Sequence, residues 1–236
     1  MKLFKFKDLT CESNFPHLFQ IVEGNKIWCA AADKLNDDQE FHFSIDYTPT
    51  NNTEKLLSQM IGKLGKSQYP PELVAKYAIQ ENRIEDNVKP QLSNMISACR
   101  NSIGVTSFSS VGTGNELWQE YGGKGNGAVV EFEIPDELIG YRFHIVEYKK
   151  VKKFHVDLFL RSQISSDYSF FENVLCTKTL KWKSEQEIRF LGRTPNVNIT
   201  LDTTVKSLTI GNKVSDCHKN KLISVCEQKG ISINLK

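Results

Sequence analysis

The sequence has no apolar run approaching the roughly 20 residues needed to span a bilayer. Its first residues, MKLFKFKDLTCES, lack the continuous apolar core of a signal peptide. The expectation is a cytoplasmic protein with no membrane partner. The cysteines, Cys11, Cys29, Cys99, Cys176, Cys217 and Cys226, contain no C-x-x-C pair, which argues against a zinc ribbon or a thioredoxin-type redox pair. Cys217 and His218 are adjacent, so their side chains diverge in most backbones and make poor joint metal ligands. His17, His42, His144, His155 and His218 share no spacing, and no Ser-His-Asp or Cys-His set follows from their order. The G-x-G-x-x-G fingerprint is absent too, which argues against a Rossmann dinucleotide loop. A dominant charge is also missing: a formal net charge of +2 neither demands nor excludes a nucleic-acid partner.

What is present is a length of 236 residues, enough to bury roughly 70–75% of the unfolded surface without disulfide staples. Buried free thiols in a reducing compartment are therefore expected. Leu3-Phe4-Lys5-Phe6 alternates as a strand, and Lys26 to Ala31 reads as a second one. Between them, Ser13 or Asn14 can cap a helix that exits through Glu23-Gly24-Asn25. From 53 to 101 the period becomes helical, with Leu56, Leu57, Met60, Ile61 and Leu64 on one stripe and Pro70-Pro71 opening a further segment. This stretch is read as a helical insertion. Strands return in IGVTSFSS, GAVVEFEI and YRFHIVEY, followed by an aromatic-rich helix over about 155–174. NVNITL, VKSLTIG, a helix over about 214–229 and a strand over 231–235 finish the chain. The pattern predicts one α+β domain over 1–236 with a mixed, largely antiparallel sheet.

The residues KWKSEQEIRFLG, 181 to 192, read as one further strand. Alternation places Trp182, Ser184, Gln186, Ile188 and Phe190 on one face and Lys183, Glu185, Glu187 and Arg189 on the other. Two carboxylates side by side ionise together only with cations or donors at hand. Lys178, Lys183 and Arg189 are the available cations. A solvated strand face explains the pattern as well as a catalytic Glu-x-Glu pair does.

Other stretches carry the same two readings. In NELWQEYGGKGN, Trp118 and Tyr121 fall three apart on one helical turn, and Gly122, Gly123, Gly125 and Gly127 follow. They make either a glycine-rich hairpin entry or one wall of a nucleotide pocket. DKLNDDQE offers the oxygens of Asn36, Asp37, Asp38 and Glu40 without the spacing of a calcium loop, and such residues also favour turns. Ser107 and Ser109 share one strand face. Lys149, Lys150, Lys152 and Lys153 form either a solvated strand end or a phosphate-attracting cluster.

Taken together these pieces resemble the bacterial family known as domain of unknown function 2971. The matching residues are Phe4-Lys5-Phe6, then Asn36-Asp37-Asp38-Gln39-Glu40, then Trp118 and Tyr121 leading to Gly127 and Val129 to Phe132. They continue with Val146 to Tyr148, then Lys178, Trp182, Glu185, Glu187 and Arg189, and close on Val205 to Gly211. Two positions depart from that pattern: Asp38 stands where Pro is usual, and Glu120 where a His precedes the Tyr.

The motif order is also similar to the ADP-ribosyltransferase fold. That similarity implies NAD as co-substrate, with Lys5 in the first-strand basic position, Ser107 and Ser109 as the Ser-x-Ser element, and Glu185 with Glu187 as the Glu-x-Glu pair. By this resemblance Glu187 holds the ribose hydroxyl and steadies the oxocarbenium-like transition state. Glu185 orients the acceptor, and Trp118 or Tyr121 stacks on nicotinamide or adenine. The departure is Lys5, since Arg or His is usual there. The leading expectation is a transferase acting as a bacterial toxin or phage-defence effector on a protein or nucleic-acid acceptor. The alternatives are a non-catalytic nucleotide- or nucleic-acid-binding module, and a hydrolase or nuclease with Asp37, Glu40 and Glu187 around a divalent ion.

Overall fold

Alternating and apolar runs set the sheet, and several of the breaks between elements are made by residues in left-handed conformations. The computed structural model describes residues 1–35, 39, 41–112, 114–167 and 169–236. The chain opens with β1 (Lys2–Asp8), α1 (Asn14–Gly24) and β2 (Lys26–Ala31). Asn25, left-handed at φ 52°, ends α1, and its side-chain amide donates to the carbonyls of Leu201 and Thr203 at 2.7 Å each. A short strand, β3 (Ser44–Asp46), precedes three helices, α2 (Thr53–Leu64), α3 (Pro71–Gln80) and α4 (Ile84–Ser102). Then come β4 (Gly104–Ser109), α5 (Asn115–Tyr121) and β5 (Gly127–Glu133).

The expected strand over YRFHIVEY is two strands, β6 (Phe143–Ile145) and β7 (Glu147–Lys149). They part at Val146, whose N–H donates to the Glu187 carbonyl, while the next N–H, of Glu147, donates to that of Cys176. The chain thus leaves one sheet for another within two residues. After β8 (Lys153–His155), the expected single helix over 155–174 is also two, α6 (Val156–Ser165) and α7 (Ser169–Leu175). Ser166 is left-handed at φ 54°, and the Asp167 carboxylate accepts from the Ser169 N–H at 3.0 Å, so a stop and a start lie side by side.

The remaining elements are β9 (Thr177–Thr179), β10 (Glu187–Gly192), β11 (Val197–Thr200), β12 (Thr204–Ile210), α8 (Asp216–Lys229) and β13 (Ser232–Leu235). The architecture is mixed α/β on a mixed sheet. Along one path the strands run β11-β2-β4-β1-β5-β12-β13, and β10 joins β4 to β6. Of the pairs within this sheet β12–β13 is parallel and the others are antiparallel. Two small parallel ribbons, β3–β8 and β7–β9, lie beside it.

One relationship positions the site. β10 pairs with β4 over six residues, from Glu187 opposite Ser109 to Gly192 opposite Gly104. The other edge of β4 is shared: β2 pairs with it at Gly104 and Val105, β1 only at Ser109. β1 and β2 therefore diverge, and among the described residues β4 has no strand partner on that edge between them.

Two cores hold this frame. α1, α8 and the sheet enclose Leu3, Leu18, Ile21, Phe132, Leu208 and Leu222. α2, α3, α4, α6 and α7 enclose Leu57, Met60, Val88, Phe159 and Phe170 and reach the sheet at Val105. Each such side chain contributes roughly 1.5–3 kcal/mol of burial. The expected insertion over 53–101 is the three-helix part of this second layer. Among the described residues no helix is long and apolar enough to cross a membrane.

Candidate active site

The divergence of β1 from β2 opens a cleft of about 250 Å³ whose floor is β4. Lys5, Ser107, Ser109, Tyr121, Glu185 and Glu187 line it, together with Lys178 and Arg189. Residues far apart in sequence meet there because β1, β4 and β10 are neighbours.

Glu187 is held from several directions. Its N–H donates to the Tyr148 hydroxyl at 2.8 Å, and its carbonyl accepts from Val146 at 3.0 Å. Its carboxylate receives Arg189 Nε at 2.7 Å and Nη2 at 3.3 Å, a forked contact, and Lys178 Nζ lies 3.0 Å away. The residue is only 4% exposed. Burial pushes its pKa up, but the charges of Arg189 and Lys178 and the hydrogen bonds from Arg189 and Ser107 outweigh it, and the pKa is held at about 2. Arg189 is itself fixed by donating Nη1 to the Leu175 carbonyl at the end of α7.

Glu185 arrives differently from expectation. The strand predicted over 181–192 begins only at Glu187. Leu180–Glu185 is a tight helical turn, and Gln186 is left-handed at φ 42°. The turn is tied to β4: Ser109 Oγ donates to the Glu185 carbonyl at 2.7 Å, and Ser110 N–H to the Gln186 carbonyl at 3.0 Å. This geometry turns Glu185 inward. Its carboxylate accepts from Tyr121 at 2.5 Å and from Lys178 at 2.6 Å. Burial, and then the hydrogen bond and charge of Glu185, raise the Tyr121 pKa well above that of an ordinary phenol, so Tyr121 is a neutral donor. Lys178, on β9, bridges the two carboxylates with Trp182 4.7 Å from its ammonium. Lys183, the other expected cation, is exposed.

Lys5 closes the opposite wall. It spans the gap left by the departing strand, donating Nζ to the Ser107 carbonyl at 2.7 Å. Burial and then the neighbouring Lys7 ammonium lower its pKa to about 7.

No family model, curated protein or solved structure matches the chain.

Several expected site residues lie elsewhere. Trp118 is 5% exposed and sits behind the cleft wall, edge-on to Phe6 at 5.9 Å and under the Lys236 ammonium at 4.6 Å. Tyr121, three residues on, is the one of the two that lines the cleft. The glycines serve packing: a Cβ on Gly123 would stand 2.3 Å from the Asp8 carboxylate, and one on Gly127 2.3 Å from the Lys7 carbonyl. Asn36, Asp37 and Glu40 lie outside the described residues, among which no group of three His, Cys, Asp or Glu side chains is placed to hold a metal. The lysine cluster is dispersed. Lys152 is buried and donates to the Gln39 carbonyl, Lys149 pairs with Glu147 at 2.8 Å, and Lys153 with Asp46 at 2.9 Å. Sequence reasoning passed over Tyr148 as a site residue. Its signal was a tyrosine between Glu147 and the first lysine, with no spacing to tie it to Glu187.

Proposed function

We propose that the protein is an NAD-dependent ADP-ribosyltransferase-like enzyme, which breaks the nicotinamide–ribose bond and passes ADP-ribose to a protein or nucleic-acid acceptor, as a toxin or phage-defence effector does. The observation that carries this reading is the Glu187 carboxylate, kept ionised in the wall of a cleft by Arg189, Lys178 and Ser107. As the glycosidic bond lengthens, positive charge develops on the ribose ring. A preorganised anion beside it stabilises that charge without reorienting. The departing nitrogen begins cationic and leaves neutral, so no acid is needed to protonate it. Glu185, hydrogen-bonded to Tyr121 and Lys178, is suited to orient the acceptor and receive its proton.

The open edge of β1 adds support. Ile134 N–H to Met1 carbonyl and Leu9 N–H to Asn126 carbonyl set the odd-numbered residues of β1 against β5. The N–H and C=O of Phe6 consequently face the cleft, where a carboxamide pairs with them as a neighbouring strand would.

The test is incubation with NAD labelled in either half. Release of nicotinamide, with label transferred to a macromolecule, is expected of the wild type. Glu187→Gln should lose both while its near-ultraviolet circular dichroism is retained. Binding of NAD without release, equal in the two proteins, would place the chain among non-catalytic nucleotide-binding modules instead.

A further inference from the structure

The amine of Lys5 is unusual apart from any role with NAD. It stands in a cleft walled by Phe4, Phe6, Trp28 and Phe108, its nitrogen 5.8 Å from the Phe108 ring centre. One N–H is committed to the Ser107 carbonyl, which fixes the nitrogen and leaves its remaining valences toward the cleft. Lys7 stands on the same face of β1, and neither lysine is in an ion pair among the described residues. We propose that Lys5 is a carbonyl-reactive amine, a modification site that captures an aldehyde ligand as an imine, with Lys7 beside it to hold an anionic group of that ligand.

Lysine amines become nucleophiles near neutral pH when desolvated or set beside a second cation. Lys5 has both conditions: burial first, then Lys7, bring its pKa to about 7, and burial lowers that of Lys7 as well. The groups facing it from other strands are the Glu187 carboxylate on β10 and the Cys29 thiol on β2, whose smaller effects act the other way. In the reaction the nitrogen lone pair attacks the carbonyl carbon and the C–O π bond breaks. Two protons pass from nitrogen to oxygen, water leaves, and the C=N bond forms. Nothing is oxidised or reduced.

Pyridoxal 5′-phosphate, an aromatic aldehyde bearing a phosphate, is a suitable probe. The unliganded protein is treated with it at neutral pH, reduced with borohydride and mapped by peptide mass spectrometry. Lys5 should be labelled about tenfold or more over the exposed Lys2, since at neutral pH a far larger fraction of it is unprotonated. The labelling rate should rise with a midpoint near pH 7, and Lys5→Arg should abolish it. Lys7→Met should reduce labelling by pyridoxal 5′-phosphate more than labelling by pyridoxal, which lacks the phosphate and loses only the help Lys7 gives in lowering the Lys5 pKa. Equal reductions would overturn the anion-holding role of Lys7. Even labelling of all exposed lysines, or a midpoint near 10, overturns the proposal on the wild-type protein alone. No NAD is present, so this outcome is separate from the fate of the transferase reading.

Discussion

Arg189 Nε meets Glu187 Oε1 at 2.7 Å, and the two side chains occupy one face of β10 two positions apart. Both are almost wholly buried, so solvent does little to weaken the pair. The consequence is a stability that depends on acid. The folded pKa of Glu187, about 2, lies below its ordinary value of 4.5, so the stabilisation is present in full above the ordinary value and is lost as pH falls through about 2. Unfolding free energy from urea titrations should fall by about 3 kcal/mol more in wild type than in Glu187→Gln between pH 5 and pH 2. Parallel curves for the two proteins would mean that the pair is solvated.

Tyr121 and Glu185 give a second prediction. Tyr121→Phe removes the 2.5 Å hydrogen bond and leaves one carboxylate oxygen short of a donor. A loss of about 1–2 kcal/mol in unfolding free energy is expected. If Glu185 orients the acceptor, transfer of ADP-ribose should fall more than release of nicotinamide. Equal losses would detach Glu185 from the acceptor step.

Gln186 supplies a third. Its left-handed backbone, φ 42°, turns Glu185 into the cleft before β10 begins. Gln186→Gly should leave stability unchanged or raise it by up to about 1 kcal/mol, whereas Gln186→Val should lower it by more than that. Thermal melts of the two variants check the sign. A tolerated valine would show that the turn relaxes to an extended conformation.

Much of the frame was legible because its strands advertise themselves. Lys26–Ala31, Gly104–Ser109 and Gly127–Glu133 are bounded by turn residues and rich in β-branched or aromatic side chains, and their limits follow closely from those features. The helices over 53–102 follow from their apolar period. The stretch 181–192 misled because its residues alternate as a strand's do right across Leu180–Glu185, which is a helical turn that puts Trp182 and Glu185, three apart, on one side. Gln186 is neither Gly nor Asn, so nothing in its type announces a left-handed residue. The break at Val146 was hidden for another reason. Its cause is a change of partner, from Glu187 to Cys176, that no local pattern encodes. In the site, the Glu-x-Glu and Ser-x-Ser spacings were visible. The hold of Tyr148 on the Glu187 amide and of the Leu175 carbonyl on Arg189 was not, because each joins a side chain to distant main chain.

The diverging strands also bear on synthesis. Lys5 leaves the ribosome 182 residues ahead of Glu187 and 184 ahead of Arg189. Until β10 docks on β4 there is no anion opposite Lys5 and no finished cavity. The cleft is therefore a late product of elongation, closed only when the strand that carries both Glu187 and Arg189 has joined the sheet.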